Sequence, residues 1–228
     1  MFLDGNGFYL LFALPGLALA MWAQWSVKST FARYAQVGTS SGTNGLQAAE
    51  KLMAQTGLDV GVERIPGQLT DHYDPRSKVI RLSDSSQDSS IASIAVVAHE
   101  LGHAEQDAQN YLPLKLRGSI VPAVQVSSWV GPLLFVIGWW LHLHGLALIG
   151  VLLFSAAAFF ALITLPVEFD ASRRAMTNLE SSGLLVGDEL VGARKVLNAA
   201  AMTYVAAAAQ SVLTLLYYVS LLSGSRRR

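Results

Sequence analysis

The stretch Ala98-His99-Glu100-Leu101-Gly102-His103 decides how the rest of the chain is read. It has the form H-E-x-x-H, two histidines four residues apart with an acid between them. On a helix that spacing sets the imidazoles about 40° apart around the axis and about 6 Å apart along it, so both reach one ion. Glu100 then stands to the side of the pair, where its carboxylate can take a proton from water. The flanks favour a helix: Ser89 or Ser90 supplies an N-cap, and the apolar run from Ile91 to Ala98 would bury the motif. The bland alternative is a buried helix carrying two hydrogen-bonded histidines and no metal. Five histidines in 228 residues make a chance match at this spacing uncommon.

Working outward, hydrophobic residues make up 52% of the chain and charged residues 14%, with a mean hydropathy of +0.40. Those values place it among integral membrane proteins. A formal net charge of zero argues against an extended nucleic-acid surface. Cysteine is absent, which excludes disulfides and thiolate ligands and leaves His, Asp and Glu to hold any metal.

Four apolar stretches divide the sequence. Phe8 to Trp25 has the length of a bilayer crossing. Ala18-Leu19-Ala20 resembles a signal-peptide cleavage site, but Asp4 is the one charge ahead of the apolar run, so residues 1–27 read as a retained anchor. Trp22 and Trp25 belong at the interface. Lys28 and Arg33 after them put the following domain in the cytoplasm.

That domain, residues 28–118, begins with the Gly/Ser/Thr linker 37–45. Thr43 or Asn44 then caps a short helix, with Leu46, Ala49, Leu52 and Met53 on one face and Gly57 as its stop. Short alternating segments follow: Val60 to Ile65, then Leu69 to Tyr73 and Lys78 to Ser83, the last two joined by the turn Asp74-Pro75-Arg76-Ser77. Lys78–Ser83 is expected to be an exposed edge strand to which an extended peptide substrate adds. The alternative is a hairpin that merely covers the zinc helix.

Ser119 to Leu141 and Leu146 to Pro166 form a transmembrane hairpin, residues 119–166, with His142 and His144 as interfacial residues rather than ligands. The hairpin returns the chain to the side it left, at the segment 167–198, where Glu168 stands at the end of a span. An ionised carboxylate there needs a partner. A metal already held by His99 and His103 would supply it, and pairing with Arg173 or Arg174 is the other reading. Ala199 to Leu222 reads as a fourth span within 199–228. It would place Arg226-Arg227-Arg228 outside, against the positive-inside tendency.

Two histidines and one glutamate would leave a tetrahedral Zn²⁺ with an open fourth position. Asp107, four residues after His103, and Asp170 are candidates to orient the imidazoles. His72, Tyr73, Arg173 and Tyr204 are candidate donors to the oxyanion formed during amide hydrolysis.

Taken together, Asp71-His72-Tyr73-Asp74-Pro75, Val79-Ile80-Arg81-Leu82-Ser83, the H-E-x-x-H stretch, Glu168-Phe169-Asp170-Ala171-Ser172 and Asn198-Ala199-Ala200-Ala201 with Thr203-Tyr204-Val205-Ala206 resemble the YugP-type neutral zinc metallopeptidases of bacterial membranes. The resemblance runs in order over nearly the whole chain. It implies an inner-membrane, multi-pass zinc peptidase in which His99, His103 and Glu168 bind one Zn²⁺ and Glu100 is catalytic. HtpX-type gluzincins are more distantly similar. Many of those carry an Asp four residues after the ligand Glu to brace a zinc histidine, and Ser172 stands there in this chain. The metzincin extension is absent, since Gln106 and Gln109 occupy its Gly and third-His positions.

The expected fold is mainly α: about four transmembrane helices and a small α+β catalytic domain with a short sheet before the zinc helix. The expected function is a membrane-embedded zinc endopeptidase acting on membrane or unfolded proteins at the cytoplasmic face. The competing class is a non-proteolytic membrane scaffold with a structural zinc. Glu100 separates them, because a structural site has no need of that acid. Nothing in the sequence sets the oligomeric state.

Overall fold

The computed structural model describes residues 5–225. Asp4 and Arg226–Arg228, which entered the orientation argument, lie outside the described residues. The chain runs α1 (Gly5–Ala35), α2 (Gly45–Thr56), β1 (Gly61–Ile65), β2 (His72–Asp74), β3 (Val79–Ser83), α3 (Ile91–Ala108), α4 (Leu112–Trp140), α5 (His144–Ser182) and α6 (Asp188–Ser225). It is a mainly α protein with a small sheet, and α1, α4, α5 and α6 are each long and apolar enough to cross a membrane.

The helices outrun the apolar stretches. Hydropathy ends one span at Pro166, but α5 continues for another sixteen residues to Ser182, and α6 runs unbroken from Asp188 through the alanine-rich segment. Hydropathy reports where lipid is tolerated, not where backbone hydrogen bonding stops. Nothing in Val167–Ser182 breaks a helix.

The chain divides into two compact units. One comprises the described residues of 1–22, 116–165 and 203–228. There α4 packs against both α5 and α6: a Cβ on Gly138 would meet the backbone of Ala147 in α5, and Phe135 stacks on Tyr218 of α6 at 4.0 Å between ring centroids.

The other unit, Ala23–Lys115 with Pro166–Met202, holds the sheet and the H-E-x-x-H helix. Its core is built from Leu52, Ile80, Leu82, Ile94, Val97, Leu101 and Leu179, all buried. Asn44 caps α2 through a reciprocal box with Gln47. That contact satisfies two backbone donors that a helix start would leave open.

The sheet order is β1-β3-β2, with β3 parallel to β1 and antiparallel to β2. This corrects the expectation that Lys78–Ser83 is an open edge: β3 is the central strand and both of its edges are occupied. Its two faces are used differently. Ile80 and Leu82 point into the core. Arg81, on the opposite face, pairs with Glu63 of β1 and Asp74 of β2, each at 3.0 Å. A residue with acids on both flanks needs a strand on either side.

Candidate metal centre

The H-E-x-x-H helix is α3, capped by the Ser90 hydroxyl, which accepts from the Ser93 N–H. Ile91, Ile94, Ala95, Ala98 and Leu101 fix one face of it in the core. Its other face meets α5. A Cβ on Gly102 would lie 2.5 Å from the Ala171 carbonyl oxygen. Only glycine allows this approach, and it falls between the two histidines of the motif.

That crossing brings Glu168 to the histidines. His99 Nε2 is 3.2 Å and His103 Nε2 3.5 Å from Glu168 Oε2, and one donor atom from each of the three residues lies within 4.8 Å of the others. Side-chain exposures are 14%, 12% and 2% for His99, His103 and Glu168. Among the described residues this is the one cluster of three or more His, Asp or Glu able to hold an ion. Two imidazoles and a carboxylate are donors suited to zinc, and poorly suited to magnesium or calcium. The carboxylate is almost wholly removed from water, as a metal-ligating oxygen in a closed site would be. The donor set therefore fits zinc.

Burial works against a charged His103 ring. The hydrogen bond to Glu168 and the charges of Glu100 and Glu168 outweigh it, and the ring holds a proton more tightly than an ordinary histidine. A cation held by the same atoms would take that proton's place.

Around the three residues α5 supplies further contacts. His99 Nδ1 lies 3.2 Å from the Ser172 hydroxyl. His103 Nδ1 lies 3.0 Å from Gln106 Oε1, and the Gln106 amide nitrogen donates to the Val167 carbonyl at 2.8 Å and to Asp170 Oδ2 at 3.0 Å. Asp170 also accepts from Arg173 and, at 2.6 Å, from Arg174. Arg174 reaches back to Gln109, the residue just after α3, at 2.7 Å.

Glu100 is 8% exposed, and one of its oxygens accepts the backbone N–H of Tyr73 at 2.9 Å. The Tyr73 hydroxyl donates to Asp107 at 2.7 Å. Glu100 and Asp107 are seven residues apart, within about 20° of one another on a helix. One tyrosine of β2 thus grips α3 at two points, two turns apart. Burial and the neighbouring Asp107 push the Tyr73 phenol up, so it stays a donor. Lys78 and Tyr73 together overcome the burial of Asp107 and hold its carboxyl below the ordinary range.

Each residue singled out in the sequence can now be placed. His99, His103 and Glu168 converge, with Glu100 beside them. Asp107 turns to Tyr73 and Lys78 rather than to an imidazole, because the i+7 relation to Glu100 outweighs the i+4 relation to His103. Asp170 touches no imidazole directly and meets the site through Gln106. The exposed His72 ring turns back onto the Thr70 carbonyl at 2.9 Å. Arg173 is spent on Asp170. Tyr204 lies on the part of α6 that belongs to the membrane unit. Two contacts went unread in the sequence. Gln106, which departs from the metzincin pattern, is also the partner of His103 Nδ1, and its place three residues on is the available signal. The Tyr73 main-chain contact has no side-chain signature.

Comparison with known proteins accords with this geometry. No solved structure matches the chain. It is 46% identical over 220 residues to the protein named "Putative membrane protease YugP" of Bacillus subtilis (strain 168), covering 96% of this chain and 98% of that one. The family described as "Putative neutral zinc metallopeptidase" matches residues 9–223. By that match, over nearly its whole length, the chain belongs to the neutral zinc metallopeptidase family.

Proposed function

We propose that the chain is a membrane endopeptidase in which His99, His103 and Glu168 hold one zinc ion and Glu100 is the general base. The observation that carries this reading is the convergence of three ligand atoms from two helices beside a carboxylate one residue along the same turn. Zinc bound there supplies Lewis acidity toward a peptide carbonyl and lowers the pKa of water. Glu100 accepts the proton of the attacking water and passes it to the departing amine. The Tyr73 N–H holds one Glu100 oxygen, and among the described residues the other has no hydrogen bond. That oxygen is the one left for proton transfer.

With β3 central, the strand edge nearest the site belongs to β2, whose Tyr73 main chain already reaches Glu100. The substrates on this reading are membrane proteins or unfolded segments at the cytoplasmic face of the bacterial inner membrane.

The test is casein cleavage by purified protein in detergent, comparing wild type with Glu100→Gln. Glu100→Gln is expected to keep its zinc and lose about 10²–10⁴ in rate. Equal cleavage by both would remove Glu100 from the chemistry. No cleavage by zinc-loaded wild type on any unfolded substrate would favour a structural zinc in a scaffold.

A further inference from the structure

Lys78 closes the turn between β2 and β3 with φ at 56°, left-handed backbone that glycine takes freely and a lysine only at a cost. After α2 the chain uses Gly57 for the same conformation, at 68°. What the lysine supplies and a glycine would not is its ammonium, which donates to Asp107 Oδ2. That pair adds little stability, since the Lys78 side chain is 56% exposed. A strained residue held for a contact of small stabilising value points to positioning. The same Asp107 oxygen accepts the Tyr73 hydroxyl at 2.7 Å. Tyr73 is the middle residue of a three-residue strand. It stands opposite Ile80, yet its N–H goes to Glu100 at 2.9 Å, so the ladder to β3 falls to His72 and Asp74. A strand so short and so sparsely bonded frays readily by itself.

We infer that Lys78 and Asp107 form a clasp on the Tyr73 hydroxyl, and that the clasp keeps the Tyr73 N–H on Glu100. Glu100 and Asp107 lie about 10 Å apart along α3. Tyr73 spans that interval, its main chain over one acid and its phenol over the other. Two side-chain torsions separate the hydroxyl from the backbone, so a hydroxyl held in place holds the N–H with it. With the clasp open, Glu100 loses the donor that fixes one of its oxygens, and the other is no longer aimed. Tyr73, Asp107 and Lys78 are therefore positioning residues. The consequence for catalysis rests on the reading of Glu100 as general base, but the clasp itself is a property of the metal-free chain.

Two measurements on full-length protein in detergent keep these apart. The first is amide hydrogen exchange at residue 73 in the metal-free protein. Exchange is expected to be about tenfold faster or more in Tyr73→Phe than in wild type, with the amides of α3 unchanged. Equal exchange at residue 73 overturns the clasp, whatever the protein does with peptides. The second is the kinetics of casein cleavage, with zinc content measured alongside, for wild type, Tyr73→Phe and Lys78→Gly. Tyr73→Phe is expected to lose about 10–100-fold in kcat at unchanged KM and zinc content. Lys78→Gly is expected to lose less, with an unfolding midpoint no lower than that of wild type. Wild-type kcat in both variants makes these contacts structural and overturns the assignment, as does a loss carried by KM or by zinc content. No cleavage by zinc-loaded wild type would take down the general-base reading and leave the clasp to the exchange rates.

Discussion

The membrane unit and the zinc-site unit are stabilised in different currencies. In the first, Trp129, Trp140 and Leu133 are largely exposed, and helices meet through small residues such as Gly138 and through ring contacts such as Phe135 on Tyr218. In the second, apolar side chains are sealed in a core and α3 is tied to α5 by a ladder of polar contacts from Ser172 through Gln106 and Asp170 to Arg174. Apolar contact tolerates exchange of similar volumes. A fully satisfied buried polar network does not, because removing one member strands the others. The comparison teaches that lipid-facing helices need only the right length and apolarity, whereas the helix pair at the site needs particular residues.

The sharpest contrast is between two leucines. Leu101→Ala removes a fully buried side chain from the motif helix and should cost about 2–5 kcal/mol. Leu133→Ala in α4, where the side chain is 59% exposed, opens no cavity and should leave the unfolding midpoint in detergent nearly unchanged. Equal shifts in thermal unfolding would break the distinction.

Next come the two glycine approaches. Gly102→Ala drives a methyl against the Ala171 carbonyl, costing about 1–3 kcal/mol, and should lower zinc affinity by parting α3 from α5. Gly138→Ala strains the membrane unit comparably against Ala147, yet its zinc affinity should match wild type. Zinc loss in Gly138→Ala and none in Gly102→Ala would invert the account.

The smallest effect concerns acid. Asp107 has a folded-state pKa below its ordinary value, since Lys78 and Tyr73 outweigh its burial. Its contribution is therefore present above about pH 4 and is lost as pH falls from there through the folded value. Asp107→Asn should be less stable than wild type at neutral pH, and the gap should narrow on acidification below about pH 4. A gap independent of pH would mean that packing, not charge, is what Asp107 contributes.

Much of this was legible beforehand, for identifiable reasons. The H-E-x-x-H helix, its Ser90 cap and the Asn44 cap are local patterns whose physics fits within one or two turns. The four spans follow from hydropathy, and the pairing of Glu168 with the histidines followed from returning a charge to the same end of a hairpin. The central place of β3 was not legible: its parallel partner β1 is joined by a crossover, and alternation reveals which face is buried, not which neighbours flank it. Gln106, not the expected Asp107, meets His103, because several residues share each helix face and only the packing of β2 and α5 decides between them. The Tyr73 N–H on Glu100 belongs to backbone common to every residue.

The most direct measurement is zinc content of purified wild type and Glu168→Gln by elemental analysis after dialysis against a weak chelator. The account predicts about one zinc per chain in wild type, as three protein ligands specify, and little or none in the variant. A wild type free of zinc, or a Glu168→Gln protein that holds it equally well, would contradict it.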